Sequence, residues 1–208
     1  MNSTRTATVP SDYKLLKSSM ELFLKYGIKS VSMDDIAKLL GISKKTIYTV
    51  VDNKKELVKT AVEIFIKEEQ VLIKNLTEQS TNAIDEMVAI ANQTISLLKN
   101  MKPTLTYDLK KYYEEVWELI ETKHFSFIEH IIKNNVTRGI KEGLFRSNLN
   151  PVVISQLYLG MAHLVVSEQF TRSHTYSIKE LYEEMVNYHL NGIINEKGRN
   201  ELDAILRT

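Results

Sequence analysis

The residues of this chain best suited to chemistry are Lys44, Lys45, Thr46 and Tyr48, which directly follow Ser43 apart from the inward Ile47. Ammonium and hydroxyl groups at that density suit base edges and phosphates, and the flanking residues predict a helix that presents them. Ser43 is placed to cap that helix, and Ile47 falls on its inner side. Just upstream, a second short helix is predicted, with Ile36, Ala37, Leu39 and Leu40 on one apolar face. Ser32 can cap it, with Asp35 three positions on as a variant capping box. Gly41 lies between the two, where the turn needs a left-handed backbone that is cheap only for glycine. Two short helices around a glycine turn are the layout of a helix-turn-helix DNA reader. Ser32 and Lys54 stand at predicted helix N-termini, where free amides and the helix dipole favour a phosphate. The candidate DNA-contacting residues are therefore Ser32, Ser43, Lys44, Lys45, Thr46, Tyr48 and Lys54, with Ser43 chiefly a cap.

Glu21-Leu22-Phe23-Leu24-Lys25-Tyr26-Gly27 precedes this hairpin and Asp52-Asn53-Lys54-Lys55-Glu56-Leu57 follows it. With the hairpin between them, these residues resemble the N-terminal domain of the tetracycline-repressor (TetR) family of bacterial regulators. The resemblance runs without a gap from about Leu15 to Leu57, through the Leu-Phe pair, the glycine, the Ile-Ala pair and the Lys-Glu-Leu start of the next helix. One departure is Val50-Val51, where the family usually has two aromatics. The apolar packing role survives there, but a phosphate contact from position 50 is lost. The resemblance implies an all-α fold of about nine helices. It divides the chain into a three-helix helix-turn-helix DNA-binding domain over 1–53 and a helical effector-binding and dimerisation domain over 54–208. It also implies a ligand-responsive regulator, usually a repressor, that binds a palindromic operator on double-stranded DNA as a homodimer and is released by a small-molecule effector. Tyr48 then matches a position that contacts the DNA backbone or a thymine methyl. The alternative is a helical dimeric adaptor or ligand-binding protein that keeps the fold and has lost DNA binding, which only the two valines favour.

Composition agrees with a helical chain. Its 208 residues hold 3 prolines and 7 glycines, too few to break many helices. The net charge of +1 hides an asymmetry, because residues 1–60 hold 11 Lys/Arg against 6 Asp/Glu and the remainder holds 16 against 20. A basic head on an acidic body is expected where only the head meets phosphates. No cysteine is present, which excludes disulfides, thiolate metal sites and a Cys nucleophile. Of the five histidines, His124 and His130 are six apart, not the three or four that place two ligands on one helical face. Glycine-rich phosphate loops, G-x-S-x-G and H-E-x-x-H are absent, so no enzyme, cofactor or metal site is expected. Met1–Val9 lacks the apolar core of a signal peptide, and no run of about 18 apolar residues suggests a membrane span. A cytoplasmic location is expected, with the N-terminal tail and its Arg5 disordered.

Punctuation along the chain predicts helices at Ser11–Tyr26, the hairpin pair, Asn53–Ser80, Asn82–Asn100, Thr104–Tyr113, Glu114–Glu142, Pro151–Phe170 and Ser177–Ile194. The polar tail after Gly198 is expected to fray. Tyr107, Tyr113, Trp117 and Phe125 cluster on the sixth and seventh helices, with Met161 and His163 on the eighth. Aromatic walls with few polar groups suit a small-molecule pocket, and these six are the candidate ligand-binding residues, although an aromatic stripe at helical spacing is more often plain core. The eighth helix is apolar nearly all round and must be covered on several sides. Leu157, Gly160 and Leu164 on it, with Leu181, Met185, Tyr188 and His189 on the ninth, are the candidate dimer interface, as the last two long helices are in the family.

Overall fold

The computed structural model describes residues 11–167 and 176–207. The expectations for Met1–Val9, Arg5 and Phe170 lie outside those residues. Among the described residues the chain forms ten helices and no strand. The head contains α1 (Ser11–Tyr26), α2 (Met33–Leu40) and α3 (Lys44–Ile47). The long α4 (Lys54–Gln79) leads to α5 (Ala83–Leu98) and α6 (Thr104–Tyr112). In α7, α-helical Glu114–Leu119 and Ser126–Lys141 flank a π-helical turn, Ile120–Phe125. The body closes with α8 (Pro151–Val165), α9 (Ile178–Ile193) and α10 (Glu196–Ile205).

Side-chain caps set most helix starts. Asn53, Asn82, Asn150, Ser177 and Asn195 each accept backbone amides from the first turn of the helix they precede, satisfying donors that lack an intrahelical partner. The head core gathers Leu15, Leu16, Phe23, Ile36, Ile47 and Val51 against Leu57, Val58 and Ala61 of α4. One expectation differs in detail: Leu39 of α2 is exposed. On α1, Tyr26 is exposed and Met20 is buried. Leu72 of α4 also faces outward, while Ile73 beside it is buried. Each helix bends only one stripe inward, and a neighbouring position one residue off that stripe is turned about 100° away.

A second core joins α5, the end of α7, α8, α9 and α10. Arg138 fastens it, donating to the buried Glu86 at 3.1 Å, to Glu142 at 2.7 Å and to the Ser80 carbonyl at 3.1 Å. The tail does not fray. Asn195 caps α10 through the Gly198 amide, and Leu202 anchors the helix in the second core. The Leu144 carbonyl accepts the Asn195 amide at 3.1 Å, and the Ile193 carbonyl accepts that of Arg146 at 2.9 Å. A polar tail hides such docking because Leu202 and Ile205 alone are too few to draw a stripe in sequence.

Phe145, fully buried, lies directly over Gly139 of α7, where a Cβ would overlap its ring. Gly139→Ala is expected to destabilise the protein by about 1–3 kcal/mol, as overpacking a filled core does. Urea unfolding monitored by circular dichroism measures this, and an unchanged midpoint would refute the contact.

Candidate functional site

The head presents its polar residues as a surface. Ser32 and Asp35 close a reciprocal capping box, with the Asp35 amide donating to Ser32 Oγ at 3.1 Å and the Ser32 amide to Asp35 Oδ2 at 2.8 Å. Gly41 adopts φ 65°, ψ 29°, which makes the turn. Ser43 Oγ accepts the Thr46 amide at 3.0 Å and lies 2.8 Å from Thr46 Oγ1. Lys44, Lys45, Thr46 and Tyr48 are all exposed on one face of α3 and the turn that follows it. Lys44 Nζ meets Asp34 at 2.8 Å, and that hydrogen bond holds its pKa above the ordinary lysine value. Val51 is buried and Val50 packs against the same core, so the two valines act as wedges under the reading face.

Lys54 is placed differently from the phosphate-contacting role expected of it. Its Nζ turns back and donates to the Ile28 carbonyl at 2.6 Å, and desolvation lowers its pKa. At the start of α4, Asn53 Oδ1 accepts the Glu56 amide, and Glu56 in turn accepts the Asp52 amide just before the helix. Lys54 thus ties the start of α4 to the loop after α1.

Beneath the head, α1, through Met20 and Leu24, joins α4, α5, α6, α7, α8 and α9 around an apolar cavity of about 180 Å³. Trp117 and Phe125 line it, edge to face at 5.9 Å. The other expected ligand residues are elsewhere. Tyr107 lies on the surface side of α6 beside Lys111, and Tyr113 packs against the head core. Met161 packs into the second core, and His163 stacks behind Phe125 with ring centroids 4.1 Å apart. His124 and Phe125, both from the π-helical turn, reach the wall together.

The polar features of the wall were not singled out from the sequence. Glu69 of α4 is 8% exposed, and burial raises its pKa to about 7. Its Oε2 stands 3.6 Å from Nδ1 of His124, whose pKa burial lowers to about 4. Neither atom has a hydrogen-bond partner. Tyr158 and Tyr182 complete the polar wall, their hydroxyls 2.8 Å apart. Glu69 sits within Lys67-Glu68-Glu69-Gln70, which looks like a solvated run. Its register is the signal, since Val62, Ile66, Glu69 and Ile73 form one buried stripe.

Of the expected dimer residues, Leu157, Gly160, Leu164 and Tyr188 are exposed. Leu181 is half-buried, while Met185 and His189 are buried in the chain's own core, His189 against the Tyr158 ring at 4.9 Å. An amphipathic helix has one apolar face, and α9 spends it on α5 and α8.

A capped, glycine-turned helix pair with an exposed basic second member defines a helix-turn-helix DNA-binding protein. Residues 15–61 match the family described as bacterial regulatory proteins, tetR family. The chain is 28% identical over 197 residues to the uncharacterized HTH-type transcriptional regulator YvaF of Bacillus subtilis (strain 168), covering 93% of this chain and 99% of that protein. A TetR-family regulator from Agrobacterium tumefaciens has the same fold, with TM-score 0.72 and 17% identity over 89% of this chain and 98% of the other. FadR from Bacillus subtilis, solved with stearoyl-CoA, gives TM-score 0.65 and 17% identity over 87% and 99%. Residues 15–61 thus carry a tetR-family head, and the chain is similar along nearly its whole length to an HTH-type transcriptional regulator.

Proposed function

We propose that two copies pair through α8 and α9, set their α3 helices on two half-sites of a palindromic operator, and release it when a small molecule enters the cavity. The division at 53/54 is then functional: a reading head, and a body that binds the effector and the second copy. One observation carries this reading. The helix that buries Leu57, Val58 and Ala61 in the head core also supplies Val62, Phe65, Ile66 and Glu69 to the cavity wall. A ligand that prefers a different tilt of α4 must therefore move the head. The head has a second tie to the wall, because α6 lines the cavity through Leu105 and Leu109 while its Asp108 accepts the Lys29 amide at 3.2 Å. Release needs only that the effector bind the DNA-incompetent arrangement more tightly, by a few kcal/mol.

The test is selection of genomic fragments by the purified protein at two salt concentrations, followed by sequencing. Enrichment of one palindrome with half-sites roughly 34–36 Å apart, or a multiple, supports the reading. Diffuse, salt-sensitive enrichment means that the head holds phosphates without reading bases, and no enrichment in ligand-free protein removes DNA from the proposal. Lys45 is exposed on the reading face, so Lys45→Ala is expected to cost about 1–3 kcal/mol and relax base preference at one position of each half-site. Repeating the selection with the variant checks it. A uniform loss across sequences would make Lys45 a phosphate contact.

A further inference from the structure

Resting on the effector-cavity reading above, we propose that the cavity takes an apolar amine, a ring-sized hydrophobic molecule with one protonated primary or secondary amine held between Glu69 and His124. Glu69 Oε2 and His124 Nδ1 are both buried, both unpaired, and 3.6 Å apart at the same wall. That separation is too long for a hydrogen bond between them. A buried carboxylate persists only where something compensates it, and a buried acceptor needs a donor. Neutral His124 with its proton on Nε2 also accepts at Nδ1. An ammonium with two N–H groups can give one to each and lend its charge to the carboxylate.

The rest of the wall fits the same molecule. Phe65 and Phe125 line the cavity, where an aromatic face attracts a desolvated cation and the ring packs against hydrocarbon; Trp117 adds apolar wall, its indole carrying Lys110 Nζ at 4.5 Å. Among the described lining residues none is Lys or Arg, so a carboxylate or phosphate ligand has no countercharge there. Tyr158 and Tyr182 pair with one another, and the Thr94 hydroxyl donates to the Ile90 carbonyl. A cavity of about 180 Å³ admits a single ring with a short arm, since an apolar cavity of about 150 Å³ already holds benzene.

Binding should depend on pH through Glu69. The groups facing it are His124 from α7 and the Tyr158–Tyr182 pair from α8 and α9. Burial lowers the His124 pKa to about 4 and raises both tyrosines, so these three keep one charge state from pH 5.5 to 8. Glu69, at about 7, holds a proton at pH 5.5 that the ammonium must displace, and has released it at pH 8.

The experiment titrates the full chain with 2-phenylethylammonium, 2-phenylethanol and 3-phenylpropionate, following the chain's one tryptophan, Trp117, by fluorescence and confirming by calorimetry. At pH 8 the ammonium should bind at least tenfold tighter than the alcohol, with the propionate weakest. At pH 5.5 that margin should shrink about tenfold, and Glu69→Gln should bring the ammonium down to the alcohol at both pH values. If the alcohol or the acid binds as tightly as the ammonium at pH 8, the amine is wrong while the cavity stands as a ligand site. If none of the three binds, both fall. Should Glu69→Gln fail to fold, the wild-type pH series decides alone, and a margin that does not change with pH overturns the role of Glu69.

Discussion

Glu69→Gln raises the thermal stability of the ligand-free protein at alkaline pH by a large margin, and hardly at all in mild acid: this is the expected result for a carboxyl buried without a partner. Burial lifts the pKa of Glu69 from 4.5 to about 7. Below pH 4.5 both folded and unfolded chains hold the proton, and Glu69 costs no more than a neutral acid. Between 4.5 and 7 the unfolded chain releases the proton and the folded chain keeps it, so stability falls as pH rises. Above 7 the loss is complete, at about 3 kcal/mol from 1.36 kcal/mol per pKa unit. Glutamine has nearly the shape of the protonated acid and does not titrate, so the variant escapes that loss. For a chain of this size about 3 kcal/mol corresponds to roughly 6–12 °C in Tm. His124 and His189 act in the opposite direction, both pushed down to about 4, and remove stability as pH falls from 6.5 toward 4. Both are present in wild type and variant, so they largely cancel in the difference between the two. Melting curves of the pair at pH 5, 6, 7 and 8 measure that difference. A gap constant across the series would mean that Glu69 titrates as an ordinary surface carboxyl.

The same residue links stability to function. A regulator that only needed a stable body would have filled this position with leucine or methionine. A carboxylate kept there at a cost of this size behaves as binding sites do, destabilised when empty and relieved when occupied. It also sits on α4, which like α1 serves both the cavity wall and the head core, so in the proposed mechanism relief of Glu69 and movement of α4 are one event.

Why the head could be read and the cavity could not follows from where the information lies. Ser32, Asp35, Gly41, Ser43 and Ile47 act within a few residues of one another, so caps, turn and inward face are all visible as local spacing. Nearly all of that layout is present in the structure. The cavity draws its wall from seven helices, and no local pattern says which aromatics meet. Trp117 and Phe125 belong to it, while Tyr107 and Tyr113, equally aromatic and close in sequence, leave through other faces of α6 and α7. The π-helical turn shifts that register again between Ile120 and Phe125. Lys54 escaped for a different reason. Its place at a helix start predicts a phosphate, but its four-carbon stem lets the ammonium curl back to the Ile28 carbonyl. On α9 the apolar face was real, yet its use was ambiguous, since Met185 and His189 serve the chain's own core and Tyr188 does not.

Leu157→Glu is expected to turn the proposed dimer into a monomer and to cost at least a hundredfold in operator affinity with little change in Tm. Val153, Leu157, Gly160 and Leu164 of α8 are all exposed, and their spacing of four, three and four residues draws one apolar stripe along the helix. Tyr188 of α9, 74% exposed, adds a large aromatic on the neighbouring helix. No atom stands within 4 Å of a Cβ built on Gly160, which leaves room there for a second backbone to approach. Around a two-fold axis such a stripe meets its own copy, so a glutamate at 157 brings two like charges together at the centre. In the single chain Leu157 is already 58% exposed, and its replacement by a solvated charge disturbs no core. The affinity loss follows from linkage. Two heads on one body make the second half-site contact intramolecular, which typically multiplies affinity by 10²–10⁴. A lone α3, one helical turn long, contacts too few bases to replace that factor. Light scattering gives the mass, and fluorescence anisotropy on the selected palindrome gives the affinity. A variant that remains dimeric and binds DNA as the wild type does would place the pairing surface elsewhere, whereas a monomer of unchanged affinity would show that each head reads its site alone.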